Sequence, residues 1–247
     1  MAPRLMSWAL QSLSRGAPLV LCVGLAGTSA AQTITGATFD GPTTRYRHAI
    51  LGDGIEFTQL VIEAEDWAHK TRYRISLPED HVFEDIAPRL WDITGDGAPE
   101  VVVIETDMAR GGSLAVYDET GKIAETPHIG RSNRWLAPIG AADFDGDGRI
   151  EVAFIDRPHL AKTLRVFEWD GVGLVLDAEL GGLTNHRIGQ DFISSGVRDC
   201  GAGPEMVTAD SDWSDIMVTR MEGGVLETHS VAAFSRDQLD TVLNCDL

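Results

Sequence analysis

The chain has 247 residues, 20 of them basic and 38 acidic, for a formal charge of −18. A surface this acidic repels nucleic acid and anionic lipid at long range, and it suits divalent cations or basic partners. Nucleic-acid binding is therefore excluded as an expectation.

Residues 1–31 read as an export signal. Arg4 and Arg15 stand in a start region without acids, the apolar run Ala17–Ala26 follows, and Gly27–Ala31 supplies small residues. The run falls short of the roughly 20 residues a membrane helix needs. Leu21 before Cys22 argues against a lipoprotein signal. Cleavage after Ala30 or Ala31 would leave 32–247 as a single domain, periplasmic or secreted, with no stable membrane insertion. Cys200 and Cys245 would remain, and in an oxidising compartment two cysteines are expected to pair.

Four related units follow in chain order. The first is faint, with Leu51-Gly-Asp-Gly leading into Gln59–Glu63. The second, Ile86–Glu105, and the third, Ala137–Asp156, align without a gap, Glu100 matching Glu151 at a spacing of 51. The fourth, Ile188–Asp210, is worn, with Pro204-Glu205 matching Pro99-Glu100. Second strands are expected at Glu100–Ile104 and Glu151–Ile155. Third strands are expected at Tyr73–Leu77, Ser113–Tyr117, Thr163–Trp169 and Asp215–Thr219. Gly-containing turns then lead to fourth strands. Ser235–Leu243 reads as a short helix capped by Ser235, with Leu239 and Val242 facing inward. The expected fold is all-β: a small propeller of four blades, each of four antiparallel strands, with that C-terminal helix. Residues 32–40 are candidates to close the ring by adding a strand to the last blade. A sandwich or an open β-array is the alternative.

Asp143-Phe-Asp-Gly-Asp-Gly-Arg-Ile-Glu151 places carboxylates at positions 1, 3, 5 and 9. Calcium takes 6–8 oxygens at flexible geometry. Asp143, Asp145, Asp147 and Glu151, with the Arg149 carbonyl, form a candidate set. An EF-hand needs an acid at position 12, where Phe154 stands, and a helix where Val152–Ile155 reads as a strand. Asp92-Ile-Thr-Gly-Asp-Gly-Ala-Pro-Glu100 is the same turn with one charge fewer, so Asp92, Thr94, Asp96, Ala98 and Glu100 are expected to bind calcium more weakly. The fourth unit, with Ser195, Val197 and Asp199 near these positions, is expected to have lost the metal, its loop braced instead by Cys200–Cys245.

These units resemble the FG-GAP/VCBS repeats of integrin-α-type propellers, most closely at Ile139–Gly148. The resemblance implies a propeller with structural calcium between the first and second strands of a blade. That family does not fix one activity.

On the face opposite the metal turns, second strands end in Glu63, Glu105, Asp156 and Asp210. They are expected as a ring about the axis, with His48, Arg89, Arg134, Trp135, His186 and Arg187 nearby and Trp67 and Trp213 in matching loops. The ring reads either as a ligand pocket or as a set of salt bridges. Isolated histidines such as His81, His128 and His229 read as surface residues, with no metal-type histidine cluster. Nucleophile elbows, His-Glu-x-x-His and phosphate loops are absent from the sequence. The expected function is a non-catalytic module binding a protein or glycan. The alternatives are a lectin-like sugar binder using Trp67 and Trp213, and a carbohydrate-active enzyme using Glu105 with Asp156.

Overall fold

Val101-Val-Val-Ile104 and Val152-Ala-Phe-Ile155 are continuous apolar runs, the pattern of strands covered on both faces. In the computed structural model, which describes residues 32–246, both runs lie at the centre of the molecule and are fully buried or nearly so. The expected signal segment lies outside the described residues.

The first unit holds β1 (Thr33–Thr43), β2 (Glu56–Glu65) and β3 (Lys70–Ser76). The second holds β4 (His81–Phe83), β5 (Arg89–Trp91), β6 (Glu100–Asp107), β7 (Gly111–Asp118) and β8 (Gly121–Glu125). The third is a four-stranded meander of β9 (Leu136–Ala142), β10 (Glu151–Asp156), β11 (Thr163–Trp169) and β12 (Leu174–Gly181). The fourth holds β13 (Leu183–Thr184), β14 (Gly196–Asp199), β15 (Pro204–Asp210), β16 (Asp215–Glu222) and β17 (Val225–Ala233), followed by α1 (Arg236–Leu243).

The result is an all-β, propeller-type stack of curled antiparallel sheets. Apolar clusters fill each gap between successive units. Leu60, Ile62 and Phe83 pack with Val101 and Val103. Ile104 and Val116 pack with Trp135 and Phe154. Ile155 and Val166 pack with Leu183 and Met206. Full burial of each such side chain contributes about 1.5–3 kcal/mol. The far side of the fourth unit is covered by α1, whose Leu239 and Val242 meet Val207, Ile216 and Val218. Ser235 caps this helix by accepting from the Gln238 N–H.

Three expectations need correction. The first unit has three strands rather than four, and Phe57 at the start of β2 pairs with Phe83 of β4, joining the first two units into one sheet. The inner strands of the second and fourth units are each broken in two: β4 and β5 both pair with β6, and β13 and β14 both pair with β15. Residues 32–40 do not add to the last blade, because β1 pairs with β2 along its length, from Thr33 opposite Glu65 to Thr43 opposite Glu56. Beyond its pairing with the second unit, the first unit reaches later parts of the chain through residues 44–55. There Tyr46 Oη accepts from the Asn133 N–H at 2.7 Å, and the Ile50 carbonyl accepts from the Gly189 N–H at 3.0 Å.

Candidate functional site

Each second strand carries a buried glutamate as its first or second residue, next to the turn that precedes it: Glu56, Glu100, Glu151 and Glu205, all under 8% exposed. Burying a carboxylate is costly unless its charge is answered. The four positions answer it differently.

At Glu151, Oε2 accepts from the Phe144 N–H at 2.6 Å, while Oε1 is buried with no hydrogen-bond partner among the described residues. Oxygens of Asp143, Asp145, Asp147 and Glu151 all lie within 4.8 Å of one another. The turn is set by Gly146 and Gly148, whose φ of 81° and 91° suit glycine, and their N–H groups tie down Asp143 at 2.7 and 3.0 Å. Burial, reinforced by Asp145, Asp143 and Asp147, pushes Glu151 up to about 7. The guanidinium of Arg149 pairs with Asp147 and with Glu168 at the rim. Hard acidic oxygens around an orphaned buried carboxylate oxygen fit a calcium ion.

At Glu100 the same turn is closed by its own hydrogen bonds. Oε2 accepts from the Ile93 and Thr94 N–H groups, and Oε1 from the Thr94 hydroxyl at 3.0 Å. Asp92 accepts from the N–H groups of Gly95, Asp96 and Gly97, and Asp96 from that of Ala98. Glu205 is paired with Arg198 at 2.8 Å and with Arg220. Burial raises this acid, but the two guanidinium groups outweigh burial and hold it below the usual range. The adjoining turn carries the Cys200–Cys245 disulfide, which fastens it to the segment just after α1. Glu56, its turn stripped of aspartates at matching positions, is pushed up to about 9 by burial and by Glu84, Asp53 and Asp85. It is therefore a neutral acid at neutral pH.

The expected acidic ring does not form one pocket, because each acid is engaged by its own neighbours. Glu63 pairs with Arg72 across β2–β3, and Asp156 with Arg157 and Arg165. Glu105 accepts from Tyr117 Oη at 2.5 Å and pairs with Lys122. Asp210 accepts from the Ser214 and Asp215 N–H groups of the following turn. Arg89 is likewise tied to Asp85. Trp67 is exposed on its loop, whereas Trp213 lies under Arg187 at 4.3 Å and against Phe234.

The basic and aromatic half of the expected set does converge. His48, Arg134 and Trp135 line a cavity of about 190 Å³ together with Ile50, Asn133, Arg157, His159, Leu160 and Ile188. Trp135 is buried, its Nε1–H donating to the Glu84 carbonyl at 2.7 Å, with His186 behind it at 4.9 Å. A ring nitrogen of His186 lies 3.1 Å from one of His159. Burial and the facing His186 push His159 down to about 4, so its imidazole is neutral at neutral pH. His48 meets buried Glu84 at 2.5 Å. Leu160 and Ile188 stand exposed at the lip. Asn133 and Arg157 line the cavity with φ of 54° and 46°, and Ala49 between His48 and Ile50 has 53°. Such strain in non-glycine residues concentrates at functional sites. Asn133, Arg157, His159, Leu160 and Ile188 were missed in the sequence because they sit on loops of different units. Repeat spacing was the only pointer to that face.

Fold and turns together define a propeller-type repeat protein with carboxylate-bearing strand connections. Residues 92–154 match the family described as FG-GAP-like repeat, from the Asp92 turn through the second strand of the third unit. This stretch of the chain is therefore similar to an FG-GAP-like repeat. No curated protein matches the chain.

Proposed function

We propose that this protein is an exported, non-catalytic binding module, braced by calcium at Asp143–Glu151, that holds a partner protein segment in the cavity beneath Arg134. The observation that carries the calcium role is the unpartnered, buried Glu151 Oε1 among three aspartates. Asp143, Asp145, Asp147 and Glu151 would hold the ion, which supplies charge balance to the turn. The Asp92–Glu100 turn, satisfied by its own donors, is the weaker of the two sites. Export is supported by the Cys200–Cys245 disulfide and the signal-like start. Among the described residues no helix is long and apolar enough to cross a membrane.

The cavity supports binding rather than chemistry. Its floor is Trp135 and Ile50, its lip Leu160 and Ile188, and Arg134 stands beside them with no carboxylate partner among the described residues. An apolar side chain flanked by an acidic group matches that lining. A lectin role finds less support, since one face of Trp213 is already occupied by Arg187. The test is capture of partners from envelope extract. Arg134→Glu and Leu160→Ala should lose what the wild type captures, while Trp67→Ala should retain it. Identical capture by Arg134→Glu contradicts the assignment of this cavity, and loss with Trp67→Ala alone, joined by binding on a glycan array, favours the sugar reading.

A further inference from the structure

His81 lies on β4, Glu105 and Asp107 close β6, and His128 sits on the segment after β8. The fold brings them together, although the sequence alone suggested no histidine cluster. Nitrogens of His81 and His128 and an oxygen of Asp107 all lie within 4.8 Å of one another. The two rings meet edge to face at 5.9 Å.

The hydrogen bonds around the cluster fix its chemistry. His128 Nδ1 is 2.7 Å from the Gly111 carbonyl, which can only accept, so Nδ1 carries the proton. In the neutral ring its Nε2 therefore presents a lone pair, and that atom is buried with no partner among the described residues. His81 Nδ1 is 2.9 Å from Asp80 Oδ1, so it too donates outward, and in the neutral ring Nε2 is a lone pair. That Nε2 stands 3.8 Å from Glu105 Oε1 and 3.9 Å from Asp107 Oδ2, too far for hydrogen bonds. With both rings neutral, two imidazole lone pairs face two carboxylate oxygens, with no proton donor between them among the described residues.

We infer that His81, Asp107 and His128 form a zinc-binding site in the second unit, with Glu105 beside His81. Zinc takes imidazole nitrogen and carboxylate oxygen at about 2.0–2.2 Å, so two bonds through the ion span gaps of up to about 4 Å. Calcium prefers oxygen ligands alone, which separates this site from the Asp143 turn. The surrounding contacts are those that orient metal ligands. Both histidines donate their second nitrogen to an acceptor. Asp107 is held by the Ala109 and Arg110 N–H groups and by Arg110 Nε at 2.6 Å. Glu105 Oε2 is held by Tyr117 Oη and Lys122 Nζ, leaving Oε1 free. Three protein ligands converge, so the ion fastens β4, the end of β6 and the exit from β8 to one another as a structural staple.

The test uses the full mature chain in excess calcium, so that the carboxylate turns are saturated. Zinc is titrated by calorimetry and cobalt(II) by visible absorption. One zinc per chain is expected, with affinity reduced at least about a hundredfold in His128→Ala and Asp107→Asn. His159→Ala and His229→Ala should leave it unchanged. Nitrogen NMR of the seven imidazoles in the wild type provides the same reading without any substitution: zinc should shift Nε2 of His81 and His128 and no others. Absence of stoichiometric zinc binding, or binding lost in His159→Ala and kept in His128→Ala, or NMR shifts at His159 and His186 instead, overturns the inference.

Discussion

The third and fourth units carry the same residue at the start of their second strands, a glutamate buried to within a few per cent, and differ in what stands opposite it. Glu151 faces three aspartates and has an oxygen with no partner among the described residues. Glu205 faces Arg198 and Arg220, with the turn beside it pinned by Cys200–Cys245. One arrangement gathers negative charge, and the other brings the cation on the chain itself. The first and second units add two further answers, a retained proton at Glu56 and a closed set of N–H and hydroxyl donors at Glu100. The buried acid at the strand entrance is thus the shared element, and the calcium proposed at Glu151 would be one of several ways to neutralise it.

Substitutions at these positions break or sharpen the comparison. The largest effect is expected at Arg198, which is itself nearly buried and also donates to the Val242 carbonyl of α1. Arg198→Ala leaves Glu205 short of its buried partner and should cost about 3–5 kcal/mol by denaturant unfolding. This loss should be insensitive to calcium, unlike any loss at Glu151. Next comes the disulfide, which closes a sequence separation of 45. Cys200→Ser with Cys245→Ser should cost about 2–4 kcal/mol, seen as a lower denaturant midpoint. Smaller is the effect of Glu56→Gln. An acid raised from 4.5 to about 9 in the folded state contributes no loss below its unfolded value, and stability falls as pH rises toward and through about 9. The glutamine variant should therefore flatten the melting profile between those values and be more stable by about 1–3 kcal/mol at pH 8. A wild type whose stability rises over that range contradicts a protonated Glu56.

The Asp143–Glu151 turn was legible because its acids are contiguous and its glycines mark the bend. The second strands were legible as apolar runs, and α1 as a capped amphipathic segment. The two cysteines were readable from compartment and count. The breaks in the inner strands were not, because residues 84–88 and 185–195 carry no single turn signal and are held by long-range partners. The Asn185 side chain, for example, donates to the Ala137 carbonyl and that of Trp135 to Glu84. The acidic ring left two readings open because recurrence in sequence does not distinguish a shared pocket from local partners, which are ion pairs at Glu63, Glu105 and Asp156 and turn donors at Asp210. The cavity under Arg134 draws on residues of three units, and the His81–His128 pair on positions 47 apart. Neither has a local spacing to read.

The central claim is that the Asp143–Glu151 turn is completed by calcium. Thermal unfolding of the wild type and of Glu151→Gln, each with calcium at about a hundred times its dissociation constant and with chelator, tests it most directly. Binding at that concentration is worth about 2.7 kcal/mol, or roughly 5–10 °C for a domain of this size. The account predicts that shift in the wild type and its loss in Glu151→Gln. A wild-type melting curve that chelator leaves unmoved, or an equal shift in both proteins, would contradict it.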